Sequence, residues 1–85
     1  MTGKLFVGNL PNSATEAELR AKFGQFGRVL SAVVATDATT GRRSRSGFVE
    51  METSDQAQAA INRLNMTQYD DVVISVSRVH LTQSA

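Results

Sequence analysis

Two capping-box motifs constrain this chain most, because each of them marks the position at which a helix begins. Thr15 stands three residues before Glu18, and Thr53 stands three residues before Gln56. In such a motif the threonine hydroxyl accepts a hydrogen bond from the backbone N–H three positions later. After the second motif, apolar residues follow at helical spacing, at positions 57, 60, 61 and 64. The sequence therefore predicts one helix after residue 15 and another after residue 53.

Strand-like segments flank the two predicted helices, at about residues 4–8, 28–36, 46–51 and 73–79. We expect residues 37–42 to form a turn between the second and third strands, and residues 66–71 to connect the second helix to the last strand. The order βαββαβ predicts a ferredoxin-like α+β sandwich, in which two helices cover one face of a four-stranded antiparallel sheet. Right-handed crossovers make the first and third strands central neighbours. We assign residues 1–81 to one domain and residues 82–85 to a polar tail.

Phe6 and Phe48 are predicted to point away from the core of this sheet. Side chains alternate along a strand, so Leu5 and Val7 share the core side and Phe6 points the other way. The same alternation places Phe48 opposite Val49. If their strands are neighbours, the two rings lie close together on the uncovered face. A ring in such a place is suited to stacking on a flat ligand.

The remaining candidate aromatic residues are predicted to have structural roles. Phe23 falls on the buried side of the first helix by its spacing from Leu19, so we expect it in the core. Tyr69 lies in the connection before the last strand, and we expect it to pack at the edge of the core. Asn9, a polar residue in the turn after the first strand, is suited to capping backbone groups there, and a contact to a ligand stays open as its alternative role.

Residues 5–10 (LFVGNL) and 44–51 (SRSGFVEM) resemble the two ribonucleoprotein motifs of the RNA recognition motif family. The first segment matches the shorter motif at every position. The second matches the longer motif, K/R-G-F/Y-G/A-F-V-x-F/Y, at its fourth, fifth and sixth positions. Ser46 stands at the third position, where the family carries a further aromatic residue. As a chain that begins at Met1, it resembles the short single-domain bacterial members, and a domain of a longer eukaryotic protein would look similar.

This resemblance implies binding of single-stranded RNA, with single-stranded DNA as a weaker ligand. The family stacks bases on the sheet aromatics, holds phosphates with basic residues, and reads base edges from the last strand. The residues that match these roles are Lys4, Phe6, Arg42, Arg43, Arg45, Ser46, Phe48, Ser75, Ser77 and Arg78. Because one stacked base is worth ~1 to 3 kcal/mol, the absence of a ring at Ser46 predicts weak or moderate affinity.

Composition excludes several kinds of site. The chain of 85 residues has no cysteine and one histidine, which excludes a disulfide framework, a cysteine-ligated metal and a histidine cluster. No apolar run reaches the ~18 to 20 residues that cross a bilayer, and no signal segment opens the chain. We therefore expect a monomeric cytoplasmic protein with no cofactor, no metal and no membrane partner.

Other functions stay open on the sequence alone. A net charge of +1 does not by itself indicate a nucleic-acid partner, so the arginines at positions 42, 43 and 45 are either phosphate contacts or solvated loop charges. An outward Val33 beside the two phenylalanines would form an apolar patch that suits a protein partner, which is the alternative function. An acylphosphatase-like enzyme would share the fold. However, the sequence offers no nucleophile–base pair, carboxylate dyad or phosphate loop, and we expect no catalysis.

Overall fold

The chain folds into a sheet covered on one side by helices. The computed structural model describes residues 2–11, 13–36 and 43–79, and at residues 36 and 43–45 it describes the backbone only. The elements are β1 (Gly3–Gly8), α1 (Glu16–Phe23), a 3-10 turn (Gly24–Phe26), β2 (Val29–Thr36), β3 (Arg43–Met51), α2 (Ser54–Leu64), β4 (Thr67–Tyr69) and β5 (Val72–Arg78). Three predicted features lie outside the described residues: the turn at 37–42 with Arg42, the side chains of Arg43 and Arg45, and the tail at 82–85.

The strands form one sheet in the order β2-β3-β1-β5-β4, and every neighbouring pair is antiparallel. The first and third strands are neighbours near the middle of the sheet, as the sequence predicted. The predicted ferredoxin-like α+β plan is therefore confirmed.

Both helices begin at the predicted capping boxes. The Thr15 hydroxyl accepts a hydrogen bond from the Glu18 N–H at 3.1 Å, and Thr53 accepts from the Gln56 N–H at the same distance. At its other end α1 continues into the 3-10 turn, which is followed by Gly27 at a φ of 155°. Because L side chains rarely adopt this backbone conformation, a glycine is needed there. Local sequence signals thus determine both the start and the end of the first helix.

A single apolar core lies between the helices and one face of the sheet. Alternate residues of the strands fill it from below and the helices from above, as strand alternation and helical spacing predict. Its larger fully buried side chains are Leu5, Val7, Leu10, Leu19, Phe23, Val49, Met51, Ile74 and Val76. Both helices use this one face, so within residues 2–11, 13–36 and 43–79 no helix lies over the opposite face of the sheet.

The segment at 66–71, which the sequence analysis assigned to a connection, contains the short strand β4. Thr67 pairs with Ile74 and Tyr69 pairs with Val72, so β4 and β5 form a tight hairpin. Its turn holds Asp70 at a φ of 55°, a left-handed conformation that aspartate tolerates better than most residues. The sheet therefore has one more strand than predicted. The sequence did not indicate it, because three residues are too few to show an alternating pattern.

Tyr69 packs at the edge of the core, as predicted, and is only 4% exposed. Its hydroxyl donates a hydrogen bond to the Glu18 carboxylate, and the Lys22 ammonium lies 4.4 Å from its ring centroid. Burial is the largest cause that raises the pKa of the Tyr69 hydroxyl far above its usual value, and the hydrogen bond to Glu18 is the second. The hydroxyl therefore stays protonated and ties the β4–β5 hairpin to α1.

Candidate nucleic-acid interface

The open face of the sheet carries the two predicted phenylalanines side by side. Phe6 on β1 and Phe48 on β3 are direct cross-strand partners. Their ring centroids are 5.6 Å apart and the ring planes meet at 65°, which is an edge-to-face contact. Phe6 is half-buried and Phe48 is 37% exposed, although neither ring belongs to the core cluster. The predicted juxtaposition of these rings is confirmed.

The register extends this pair into a row across four strands. Val33 pairs with Phe48 on one side, and Ser77 pairs with Phe6 on the other. We call Val33, Phe48, Phe6 and Ser77 the aromatic row. Val33 is 46% exposed, so the apolar surface predicted beside the two rings is present. The row offers two ring surfaces with an aliphatic side chain at one end and a hydroxyl at the other.

A second row, made of small residues, lies two positions along the strands from the aromatic row. Ser46 pairs with Gly8, and Gly8 pairs with Ser75. A Cβ on Gly8 would lie 2.8 Å from the Ser75 Oγ and 3.1 Å from the Phe6 Cε2. A Cβ would thus displace the Ser75 hydroxyl and crowd the Phe6 ring, so the glycine lets the ring edge lie close to the backbone. Ser46, the position that carries the third aromatic residue in the family, is thus the cross-strand neighbour of the glycine beside which the Phe6 ring edge lies.

On the other side of the aromatic row lies a third row, which carries charge. Ser31 pairs with Glu50, and Glu50 pairs with Lys4. Lys4 is exposed and lies near the beginning of β1, where its ammonium is accessible to a ligand on the open face. We call Ser31, Glu50 and Lys4 the charged row. Glu50 was not among the predicted site residues, because only the cross-strand register reveals that it faces Lys4.

Arg78 does not lie on the open face with Ser75 and Ser77. Its guanidinium reaches the beginning of α2, where it donates to the Ser54 Oγ at 3.1 Å, the Ser54 carbonyl at 3.3 Å and the Gln58 Oε1 at 3.1 Å. The structure thus separates Arg78 from Ser75 and Ser77, with which it was listed as matching the family's base-reading positions, and its contact with RNA stays a prediction. Alternation along β5 explains the difference, since Arg78 shares the side of the strand occupied by buried Ile74 and Val76.

The turn after β1 contains Asn9, which has the predicted structural role. Its φ is 59°, and its side-chain amide donates a 2.7 Å hydrogen bond to the Val73 carbonyl. This contact fixes the end of β1 against the start of β5. Val73 itself points outward and is 46% exposed, which adds an aliphatic residue to the open face that the sequence analysis did not select.

Elsewhere, the described part of the chain offers little that would indicate another chemistry. A shallow pocket lies on the helix side, lined by Gln25, Phe26, Ala59, Asn62, Arg63 and Leu64, away from the aromatic row. Among the described residues, no three acidic or histidine side chains gather as a metal site would require. Within the same residues, no helix has the length and apolarity needed to cross a membrane.

Comparison with known proteins identifies relatives of the whole domain. Residues 5–75 match the family model described as RNA recognition motif. RbpD of Nostoc sp. (strain PCC 7120) is 43% identical over 65 residues, which are 76% of this chain and 69% of RbpD. Polyadenylate-binding protein 7 of Arabidopsis thaliana is 43% identical over 76 residues, which are 89% of this chain but only 12% of that protein. The relatives therefore include a short bacterial protein, as the sequence predicted, and a much longer plant protein.

Solved structures share the fold of this chain. The crystal structure of RNA binding protein PG1 has a TM-score of 0.87 at 35% identity, covering 98% of this chain and 99% of that one. The Sxl-lethal protein/RNA complex has a TM-score of 0.82 at 31% identity, covering 89% of this chain and 47% of that one.

Proposed function

The chain belongs to the RNA recognition motif family, and we propose that it binds single-stranded RNA on the open face of its sheet. The observation that carries this proposal is the pair of rings of Phe6 and Phe48, 5.6 Å apart on the face over which none of the described helices lies. Two structural neighbours support it, since one is named an RNA binding protein and the other is a complex with RNA.

The aromatic row explains why the ligand would be single-stranded. Stacking on a protein ring needs the flat face of a base, and in a duplex that face is covered by neighbouring bases. Phe6 and Phe48 each offer a surface for one base. On the neighbouring strand β5, Ser77 pairs with Phe6 and Ser75 pairs with Gly8, so both hydroxyls are placed for contacts to base edges or 2′-hydroxyls. With two rings rather than three, we propose weak to moderate affinity, and weaker binding of single-stranded DNA.

Phosphate contacts are assigned to the basic residues around this face. Lys4 is exposed beside the aromatic row, where its ammonium can meet a phosphate or the edge of a stacked base. Arg43 and Arg45 belong to β3, and Arg42 precedes it in the sequence. Because a phosphate contact releases condensed counterions, the three arginines would contribute similarly for any RNA sequence.

Replacing Arg42 and Arg43 together by alanine is expected to lower affinity equally for all single-stranded oligomers. The slope of log K against log salt should become shallower by about 0.7 for each phosphate that the protein no longer neutralises. Fluorescence anisotropy titrations at several salt concentrations measure this slope. The control replaces Arg20 and Arg63, which are exposed on the two helices, and changes the net charge equally. Equal slopes in the wild type and the Arg42/Arg43 variant would show that these two arginines are solvated charges that contact no phosphate.

The exposed Val33 next to Phe48 favours one alternative, a protein partner that docks on the same apolar row. The salt titration separates the two ligands, because an apolar protein contact weakens little with salt whereas RNA binding weakens steeply.

Adding an aromatic ring at Ser46 is expected to strengthen RNA binding. Ser46 pairs with Gly8 and lies two residues before Phe48 on the same face of the sheet, so a tyrosine there would stand beside the existing rings. We expect Ser46→Tyr to gain a fraction of the ~1 to 3 kcal/mol that one stacked base contributes, with little change in melting temperature. Ser46→Ala is the control, because it removes the hydroxyl without adding a ring. A tyrosine variant that binds RNA no better than the alanine variant would refute a stacking role for this position.

A further inference from the structure

The charged row places an acid and a base side by side on the face that would hold RNA. Glu50 and Lys4 are cross-strand partners on the neighbouring strands β3 and β1, near one end of their ladder. Glu50 stands two residues after Phe48, and Lys4 stands two residues before Phe6. Residues of directly paired strands have Cβ atoms about 5 Å apart, and residues two apart along a strand are separated by about 7 Å. A base stacked on Phe6 or Phe48 therefore reaches the charged row with its edge.

The charged ends of these two side chains are available to a ligand. Lys4 is exposed and Glu50 is half-buried. Within the described residues, neither the Lys4 ammonium nor the Glu50 carboxylate takes part in a side-chain hydrogen bond or ion pair. The pair thus offers hydrogen-bond acceptors and donors next to each other.

A carboxylate on this face restricts which part of RNA can lie near it. Phosphate oxygens carry negative charge and are repelled by Glu50 at short range. The edge of a base is neutral, and several bases present N–H donors there. An ionised carboxylate accepts hydrogen bonds only, and binds best to two adjacent donors that it meets with both oxygens.

We propose that Glu50 and Lys4 select a guanine whose ring stacks on the aromatic row, an inference that rests on the RNA binding proposed above. The Watson–Crick edge of guanine carries the N1–H and N2–H donors next to each other, followed by the O6 acceptor. Glu50 accepts from N1–H and N2–H, and Lys4 donates to O6. Adenine, cytosine and uracil each offer one donor group on this edge, so they donate to only one oxygen of the carboxylate.

The test compares oligomers that differ at one position. Single-stranded RNAs of identical length carry guanine, adenine, cytosine, uracil or inosine at one site within an otherwise uniform uracil sequence, and their affinities are measured by fluorescence anisotropy. We expect guanine to bind about tenfold more tightly than uracil, the size of effect expected for one bidentate contact to a base. Inosine lacks the 2-amino group and should fall between them.

Glu50→Gln is the decisive variant, because glutamine keeps the shape but presents an N–H₂ group towards the guanine donors. The affinity for the guanine oligomer should fall about tenfold, while the affinity for the uracil oligomer should change little. Glu16→Gln removes an exposed carboxylate from α1 and is the matched control for net charge. A uniform gain in affinity for all oligomers would overturn the proposal, since Glu50 would then act by repulsion alone, and so would an unchanged base preference.

The outcomes also separate this inference from the proposed function. Wild-type protein that binds the oligomers without preferring guanine would overturn the role of Glu50 and Lys4 and leave RNA binding intact. Wild-type protein that binds none of the oligomers would overturn RNA binding itself, and the base selection with it.

Discussion

Replacing Phe6 and Phe48 together by alanine is expected to reduce the affinity for single-stranded RNA by about thirtyfold or more. Each stacked base contributes ~1 to 3 kcal/mol, and 1.4 kcal/mol corresponds to a factor of ten in Kd. Because the two rings are in contact, the single substitutions need not add up to the double one. Fluorescence anisotropy with one oligomer at one salt concentration measures all three variants.

The control for this prediction is Phe26→Ala. Phe26 is also a half-buried phenylalanine, but it packs against the core and lines the helix-side pocket. Its removal should leave RNA affinity unchanged in the folded protein. Circular dichroism checks whether each variant keeps its secondary structure. A folded Phe6/Phe48 double variant that binds RNA within about twofold of the wild type would contradict a role for stacking.

Phe23→Ala is expected to have the largest effect on stability, although it should not touch the RNA face. Phe23 is fully buried between α1 and the sheet. Truncating a buried phenylalanine typically costs ~3 to 5 kcal/mol, while the stability of a whole domain is about 5 to 15 kcal/mol. The variant should therefore unfold at a much lower urea concentration.

The comparison with Phe48→Ala makes this prediction specific. The Phe48 ring is 37% exposed and outside the core, so its loss should change the free energy of unfolding far less than the loss of Phe23. Urea unfolding followed by circular dichroism gives both values. Equal destabilisation by the two substitutions would show that the open face carries part of the core.

Local chemistry determines most of the fold, and this is why the sequence predicted it. The capping boxes at Thr15 and Thr53 fix where the helices begin, and their hydrogen bonds are present. Alternation in β1 and β3 separates the core residues from Phe6 and Phe48. Strand β4 was missed because its pairing with β5 depends on the turn at Asp70, and not on any pattern within its three residues.

The interface was predicted in part, and the limit is again physical. Alternation alone placed the two phenylalanines on the open face, and the handedness of the crossovers made them neighbours. Arg78 was grouped with the outward serines by resemblance, although its alternation with Val76 indicates the helix side where its guanidinium binds Ser54. Glu50 became a candidate only with the register, since the residue opposite it lies 46 positions earlier in the chain, at Lys4.

The central claim is that the open face, with Phe6 and Phe48 at its centre, is the RNA-binding surface. The most direct test is an NMR titration of the ¹⁵N-labelled protein with a short single-stranded RNA, in which amide shifts are followed residue by residue. We expect the largest shifts in β1, β3 and β5 around the aromatic row, with small shifts at Phe26 and Leu64 on the helix side. Shifts concentrated on the helix side, or none at saturating RNA, would contradict it.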